Sequence, residues 1–393
     1  MEGRGIVVCG GGPKYLPCVW VCVHMLRRNG SALPIQVWYL GPKEAPPLKV
    51  KAALEDMNVE FVDAYKVRQE HPSRILNGWE LKCYSIMWSP FDEVFLIDSD
   101  NVPLINVDHM FKWDQYQQHG AVFWPDYGRL APERDIWGIT GIEYRDEPEF
   151  ESGQILVDKR RCWNELRTTM HINEYSDFYY RHVHGDKETF HLAWRKRGTE
   201  YGMPPYAIKS LPATMCQHDF HGNIIFQHRN MDKWKVGGRR RINGFQRENE
   251  CYEILDEFAR LWEPVTTFNN AKEKMLYDRI VKTRTFDYHR IDHDRRMITL
   301  SSNGVITEGS ADMEAFWCVR TESGEPALYI MDTKKETTCK LKEDGSILKG
   351  RWLKHEKMEI ELTPVRASRF ARPPNPKAKG RASKRRAALR RVR

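Results

Sequence analysis

The sequence predicts an α/β fold, with a mainly parallel sheet in the first part of the chain and a small antiparallel β appendage near its C-terminal end. Three observations carry this. Short apolar, β-branched runs alternate with stretches of helical spacing, the pattern of strand–helix–strand units. One run, Val94-Phe95-Leu96-Ile97, has the texture of a fully buried strand and stops abruptly at Asp98-Ser99-Asp100-Asn101. From about Phe286 the texture changes to short strand-like runs separated by Gly, Asn, Asp and Ser turns.

The elements follow in order. Ile6–Cys9 is a first strand, closed by the tight loop Gly10-Gly11-Gly12-Pro13. Tyr15–Arg28 is apolar on most sides and ends in basic residues and Asn29-Gly30, the stop signals of a helix. Ile35–Leu40 is a second strand, Ala52–Met57 a short helix and Val59–Val62 a third strand. Gly78–Trp88 reads as a helix leading to the strand Glu93–Ile97, and Gly120–Trp124 as a strand before the loop 125–128. Glu151-Ser152-Gly153 reads as a turn into the strand Gln154–Val157, with a helix beginning near Arg160. Ile224–Gln227 is a short strand and Tyr252–Trp262 a helix. The appendage strands are Met297–Leu300, Phe316–Arg320, Ala327–Met331, Cys339–Leu341, Ile347–Trp352 and Met358–Leu362, with hairpin signals at Asn303-Gly304 and Asp344-Gly345. The expected units are 1–284, 285–364 and a tail, 365–393, too poor in apolar residues to fold alone.

The net charge of +8 is unevenly placed. Residues 366–393 hold twelve Lys or Arg and no acid, so the remainder has 50 basic residues (62 minus 12) against 54 acidic ones. The body is mildly acidic and the tail is suited to polyanions, either nucleic acid or an anionic membrane surface. The nine cysteines are odd in number, scattered and free of any Cys-x-x-Cys pair. This points to a reducing compartment and away from structural zinc. Strand-like sequence begins directly after Met1-Glu2-Gly3-Arg4-Gly5, and no apolar run approaches the length of a membrane span, so a cytoplasmic location is expected.

Asp98 and Asp100 stand one residue apart at a strand end, where open α/β sheets bind ligands. Strand side chains alternate faces, so both carboxylates can point the same way. Their mutual repulsion is relieved by a divalent cation with a preference for oxygen, Mn²⁺ or Mg²⁺, shared with substrate phosphates. The Gly10–Gly12 loop lacks the Gly-x-Gly-x-x-Gly spacing, with Tyr15 in the last place, so Gly10 and Gly11 suit a close approach to a nucleotide, or an ordinary tight turn, better than a nicotinamide site. Lys82 is either a diphosphate counter-charge or part of a solvated helix face. Glu151 and Gln154 are either sugar contacts or parts of a strand-entry turn, and Asp186 and Glu188 either cap a helix or contact sugar hydroxyls. His228 is a candidate third metal ligand, with His218 and His221 nearby, and Lys233 a phosphate partner.

These pieces, in order, resemble the fungal Golgi α-mannosyltransferase family: Gly5-Ile-Val-Val-Cys-Gly-Gly-Gly, Leu26-Arg-Arg-Asn-Gly-Ser-Ala-Leu-Pro-Ile-Gln-Val, Lys82, Ser89-Pro-Phe-Asp-Glu-Val-Phe-Leu-Ile-Asp-Ser-Asp-Asn, Phe123-Trp-Pro-Asp, Glu151-Ser-Gly-Gln and Gly185-Asp-Lys-Glu-Thr-Phe. More remotely the chain is similar to glycogenin-like retaining glycosyltransferases. The resemblance covers about residues 3–236. It implies a Rossmann-like GT-A fold over 1–284, with Mn²⁺-dependent transfer from a nucleotide sugar and retention at the anomeric carbon. In that pattern Asp98 and Asp100 match the metal motif, and His228 loosely matches a C-terminal metal-binding histidine. Glu151, Gln154 and Asp186 fall where such enzymes place donor-sugar and catalytic contacts. The appendage and basic tail lie outside the pattern, as does a chain without the fungal anchor.

The expected activity is therefore hexose transfer, mannose first, from GDP-mannose or a UDP-hexose to a glycan or glycolipid. The sequence leaves two rivals. One is glycosylation of a modified base in DNA, suggested by the basic tail. The other is a non-catalytic protein that binds a sugar nucleotide or carbohydrate, which would have no need of the paired carboxylates.

Overall fold

The computed structural model describes residues 3–236, 240–261, 268–302, 304–322, 324–332, 336–354 and 358–365. The basic run 366–393, Asn303 and the end of the helix expected at Tyr252–Trp262 lie outside the described residues.

The apolar runs become a six-stranded sheet. Its strands are β1 (Arg4–Cys9), β2 (Ile35–Tyr39), β3 (Val59–Asp63), β4 (Glu93–Asp98), β6 (Ala121–Pro125) and β7 (Phe150–Asp158), in the order β3-β2-β1-β4-β7-β6. The pairs β1–β2, β2–β3 and β1–β4 are parallel, whereas β7 runs antiparallel to both β4 and β6. Helices α1 (Gly12–Arg28), α2 (Leu48–Glu55), α3 (Ala64–Glu70), α4 (Glu80–Trp88), α5 (Asp114–His119), α6 (Ile136–Thr140), α7 (Trp163–Glu174), α8 (Ser176–Tyr179) and α9 (Asp186–Arg197) connect the strands and follow them. β4 is apolar throughout because both faces are covered. Phe95 and Ile97 join the core with α1, and Val94 and Leu96 the core with α4 and α9.

A second sheet, β5-β10-β9-β8, is built from β5 (Asn101–Pro103), β8 (Lys209–Leu211), β9 (Thr214–His218) and β10 (Ile224–His228). Its register sets Asn101 opposite His228, which carries a histidine from far along the chain to the end of β4. Then come α10 (Glu248–Leu261) and α11 (Ala271–Thr283). The expected appendage is an antiparallel seven-stranded sheet of β11 (Thr285–Arg290), β12 (Asp294–Thr299), β13 (Phe316–Glu322), β14 (Glu325–Met331), β15 (Thr337–Asp344), β16 (Ile347–Trp352) and β17 (Glu359–Pro364). One face makes a core with Leu276 and Ile280 of α11. Residues of the other face, among them Phe316, Ala327 and Tyr329, pack into the core that holds α1 and Trp234.

Several expectations change. α2 begins at Leu48, directly after Pro47, and not at Ala52, because the proline fixes the start of the helix. Glu151-Ser152-Gly153 is not a turn; it lies within β7, at a bulge where the pairing with β6 jumps from Phe123–Ile155 to Trp124–Glu151. α3, α5, α6, α8, α11, β5, β8, β9 and β11 have no counterpart among the elements expected from sequence. At Asp344-Gly345 the hairpin is as read: Asp344 pairs with Ile347 and Gly345 takes φ +63°. No helix among the described residues is long and apolar enough to cross a membrane, and all nine cysteines are free.

Candidate active site

The C-terminal edge of the first sheet concentrates charge. β4 delivers Asp98, and the next turn delivers Asp100, whose backbone carbonyl accepts from Arg229. His228 Nε2 lies 3.1 Å from Asp100 Oδ1 and 3.8 Å from Asp98 Oδ2, and its Nδ1 is 3.4 Å from Glu151 Oε1. Of the three neighbouring histidines, His228 is the one in this cluster. Ligand atoms of Asp98, Glu151 and His228 all lie within 4.8 Å of one another.

Two lysines flank the carboxylates. Lys82, on α4, donates to Asp98 Oδ2 at 2.9 Å and to the Ser152 Oγ at 3.1 Å, and lies 3.6 Å from Asp186 Oδ2. It is buried, which excludes the solvated helix face. Lys233 bonds Asp100 Oδ2 from the opposite side.

Burial and pairing set the protonation states. Burial opposes charge on Lys82, but Asp186, Asp98 and Glu151 hold its pKa above the usual lysine value. Burial likewise disfavours charged His228, yet Asp100 and Glu151 raise it to about 10. Burial and the neighbouring Asp100 push Asp98 up against the pull of Lys82, whereas His228 and Lys233 overcome burial and hold Asp100 well below the carboxylate range. Asp186 is raised to about 6, mainly by burial, against the pull of Lys82.

These residues fit a divalent cation. The donor set is mostly carboxylate oxygens, which suit Mn²⁺ and Mg²⁺, with one imidazole, which suits a transition ion better than Mg²⁺. Asp186 Oδ2 and His228 Nδ1 are buried without a hydrogen-bond partner. Gly153 leaves room for the imidazole, since a Cβ there would sit 2.8 Å from both His228 Nδ1 and Glu151 Oε1. Asp98, Asp100, Glu151, Asp186, Lys82, His228 and Lys233 are thus brought together from six parts of the chain.

Three other residues stand differently from expectation. Gln154 is fully buried beneath the cluster. Its amide donates to Asn101 Oδ1 at 2.6 Å, and Asn101 donates to the Gly153 carbonyl, so this pair fixes the floor of the site, while Gln154 Oε1, like Asp186 Oδ2, is buried without a hydrogen-bond partner. Gly10 and Gly11 are small for internal reasons. A Cβ on Gly10 would sit 2.8 Å from Val19, and one on Gly11 2.6 Å from the Glu44 carbonyl.

A second knot was not foreseen. Lys187 Nζ contacts Asp126 at 2.7 Å, Glu149 at 2.5 Å and Glu188 at 2.8 Å. Neither Asp186 nor Glu188 caps α9. The N-cap is Gly185, without a side-chain cap, and Lys187 instead ties the helix start to the ends of β6 and β7. Only the polar run Gly185-Asp186-Lys187-Glu188 hinted at this in sequence.

With this geometry in place, the comparison with known families is decisive. The family described as "Mannosyltransferase putative" matches residues 3–147 and 142–228. The chain belongs to this family. The match ends at His228, so the family's segment carries every ligand in the cluster, while Lys233 and the appendage lie beyond it. The chain is similar to the alpha-1,2-mannosyltransferase MNN24 of Candida albicans, with 27% identity over 51% of this chain and 34% of the relative. It is also similar to the alpha-1,2-mannosyltransferase MNN2 of Saccharomyces cerevisiae, with 24% identity over 58% of this chain and 45% of the relative. It therefore spans less than half the length of each. Among solved structures it is similar to the glycosyltransferase GlyE of Streptococcus pneumoniae TIGR4, with 14% identity, coverage of 51% and 45%, and a TM-score of 0.36.

Proposed function

We propose that this chain is a metal-dependent, retaining hexosyltransferase. It moves a hexose, mannose first, from a nucleoside-diphosphate sugar (GDP-mannose before a UDP-hexose) to a glycan or glycolipid. The observation that carries this reading is the convergence of Asp98, Asp100, His228 and Glu151 between two lysines. The family membership supports the sugar.

Asp98, Asp100 and His228 would hold Mn²⁺ or Mg²⁺. When bound, the ion supplies Lewis-acid stabilisation of the leaving diphosphate. The chain's own residues do the rest. Lys233 offers a cation beside Asp100 for the diphosphate. Lys82 keeps its charge and holds Asp98, Ser152 and Asp186 in fixed relation. With a pKa of about 6, Asp186 is ionised at neutral pH and, with Glu151, steadies positive charge growing at the anomeric carbon. The acceptor hydroxyl attacks from the face that the diphosphate leaves. The bond from C1 to the phosphate oxygen breaks as the new C1–O bond forms, and the hydroxyl proton passes to the departing oxygen.

The nine free thiols support a reducing, cytoplasmic setting for this reaction. A thermal-shift and hydrolysis screen of GDP- and UDP-sugars, with and without Mn²⁺, tests the reading. A Mn²⁺-dependent shift with slow hydrolysis of one donor is expected. Donor binding without any turnover would favour the carbohydrate-sensing alternative.

A further inference from the structure

Beyond Lys233 the site opens toward the appendage. A cavity of about 140 Å³ lies between the loop after β10 and the hairpin 305–316. Lys14, Lys233 and Lys235 line the body side, and Ala311, Asp312 and Phe316 the appendage side. A second cleft on the far side of the same loop is walled by Arg240 and by appendage residues 307–310. The appendage thus grips the loop that follows the metal-site histidine.

The charge in this cavity is unequal. Lys14 lies in the first turn of α1, a 17-residue helix with no acid in that turn, so the positive end of the helix dipole adds to its potential, although Gly12 N–H is already bonded to the Glu44 carbonyl. The amines of Lys14 and Lys233 lie 5.5 and 5.6 Å from the Tyr15 ring centroid. The anions facing the three amines are Asp100, which a bound cation would engage, and Asp312. Asp312 sits in a two-residue turn closed by both hydrogen bonds between Ala311 and Glu314. It pairs with Lys14 at 3.8 Å and with Lys235 at 3.5 Å, and its side chain is 62% exposed, so these are solvent-screened contacts. The cavity floor is apolar, with Val236, Val305 and Phe316 buried. Amines around an apolar floor suit a phosphate joined to a flat, uncharged ring.

We infer that this cleft receives the nucleotide part of the donor, with Lys14, Lys233 and Lys235 on its phosphates, and that Asp312 is the internal anion these phosphates displace. The inference rests on the reading of the donor as a nucleoside-diphosphate sugar. It makes the appendage, which lies outside the family-matched segment, one wall of the donor site.

The test is titration calorimetry of GDP and UDP with Mn²⁺ on the full chain, at low and high salt. Lys14, Lys235 and Asp312 are each a third or more exposed, so their substitution leaves the core intact. Asp312→Asn should tighten nucleotide binding several-fold. The double variant Lys14→Ala, Lys235→Ala should weaken it about ten-fold, and both effects should fade in high salt as exposed charges are screened. Ala311→Trp, which fills the cleft without changing a charge, should also weaken binding. If the wild type binds nucleotide and none of these variants changes Kd, the inference is overturned and the nucleotide-sugar reading stands. If the wild type binds neither nucleotide with Mn²⁺, that reading fails and takes the inference with it.

Discussion

The two ends of β4 handle buried charge in different ways. At its start, Glu93 accepts from Arg4 and Tyr116, Arg160 lies near Asp92 and Asp158, and Lys159 donates to the carbonyls of Met87 and Ser89. Three basic side chains meet three acidic ones. At its finish, Asp98, Asp100, Glu151 and Asp186 face Lys82, Lys233 and His228, an excess of one negative charge even with the histidine protonated. If His228 gives up its proton the excess becomes two, the charge of a divalent cation. The difference teaches that burial alone does not mark a site. The start of the strand pairs its charges one for one, whereas its finish leaves a carboxylate in excess.

The largest effect should come from the unbalanced end. Asp100→Ala should lower Mn²⁺-dependent turnover more than about a hundredfold. The fold should survive, since the change removes one of several crowded carboxylates. Wild-type turnover at saturating Mn²⁺ would break the comparison. Lys187→Met tests the neighbouring knot. Removing the one cation among three carboxylates should cost about 3–5 kcal/mol of stability. Because α9 then loses its tie to β6 and β7, kcat should fall while metal affinity holds. A loss confined to stability would reduce Lys187 to a scaffold role.

Gly153→Ala sharpens the assignment of His228. The added Cβ must push the imidazole or Glu151 aside, so Mn²⁺ affinity should drop about ten-fold with little change in melting temperature. The smallest effect belongs to the balanced end. Burial lowers the pKa of Lys159 from 10.5 to about 8, so its charge opposes folding. Between those values the unfolded chain binds more protons than the folded one, and wild-type stability gains as pH rises. Lys159→Met should therefore lose this pH-dependent gain, at most about 3 kcal/mol between about pH 8 and 10.5, while leaving the Met87 and Ser89 carbonyls without their donor at every pH. Denaturant midpoints flat across that range in the variant and rising in wild type are the expected result.

Much of this was legible in sequence because it lies in local pattern. Val94–Ile97 announces a buried strand that ends at Asp98, whereas Asp100 is carried by the following turn and not by the strand's period of two. The hairpin at Asp344-Gly345 is written in its turn residues. The rest depends on contacts that no local pattern encodes. His228 reaches the cluster through the pairing of β5 with β10, and β5 is too short to be recognised. Gly153 looks like a turn residue but serves a strand, because its missing side chain is filled by an imidazole from 75 positions further on. The tie of the Gln154 amide to Asn101 below the surface is likewise invisible in the sequence. Asp186 and Glu188 look like helix caps, and only packing of three elements shows that Glu188 joins Lys187 in a knot.

The central claim is that Asp98, Asp100 and His228 hold a divalent cation. Electron paramagnetic resonance of Mn²⁺, titrated into the full chain with and without GDP, tests it most directly. One bound Mn²⁺ per chain is expected, lost in Asp100→Ala, with proton release as His228 gives up a proton held with a pKa of about 10. Mn²⁺ that stays free in both proteins, or binds equally to both, would contradict the account.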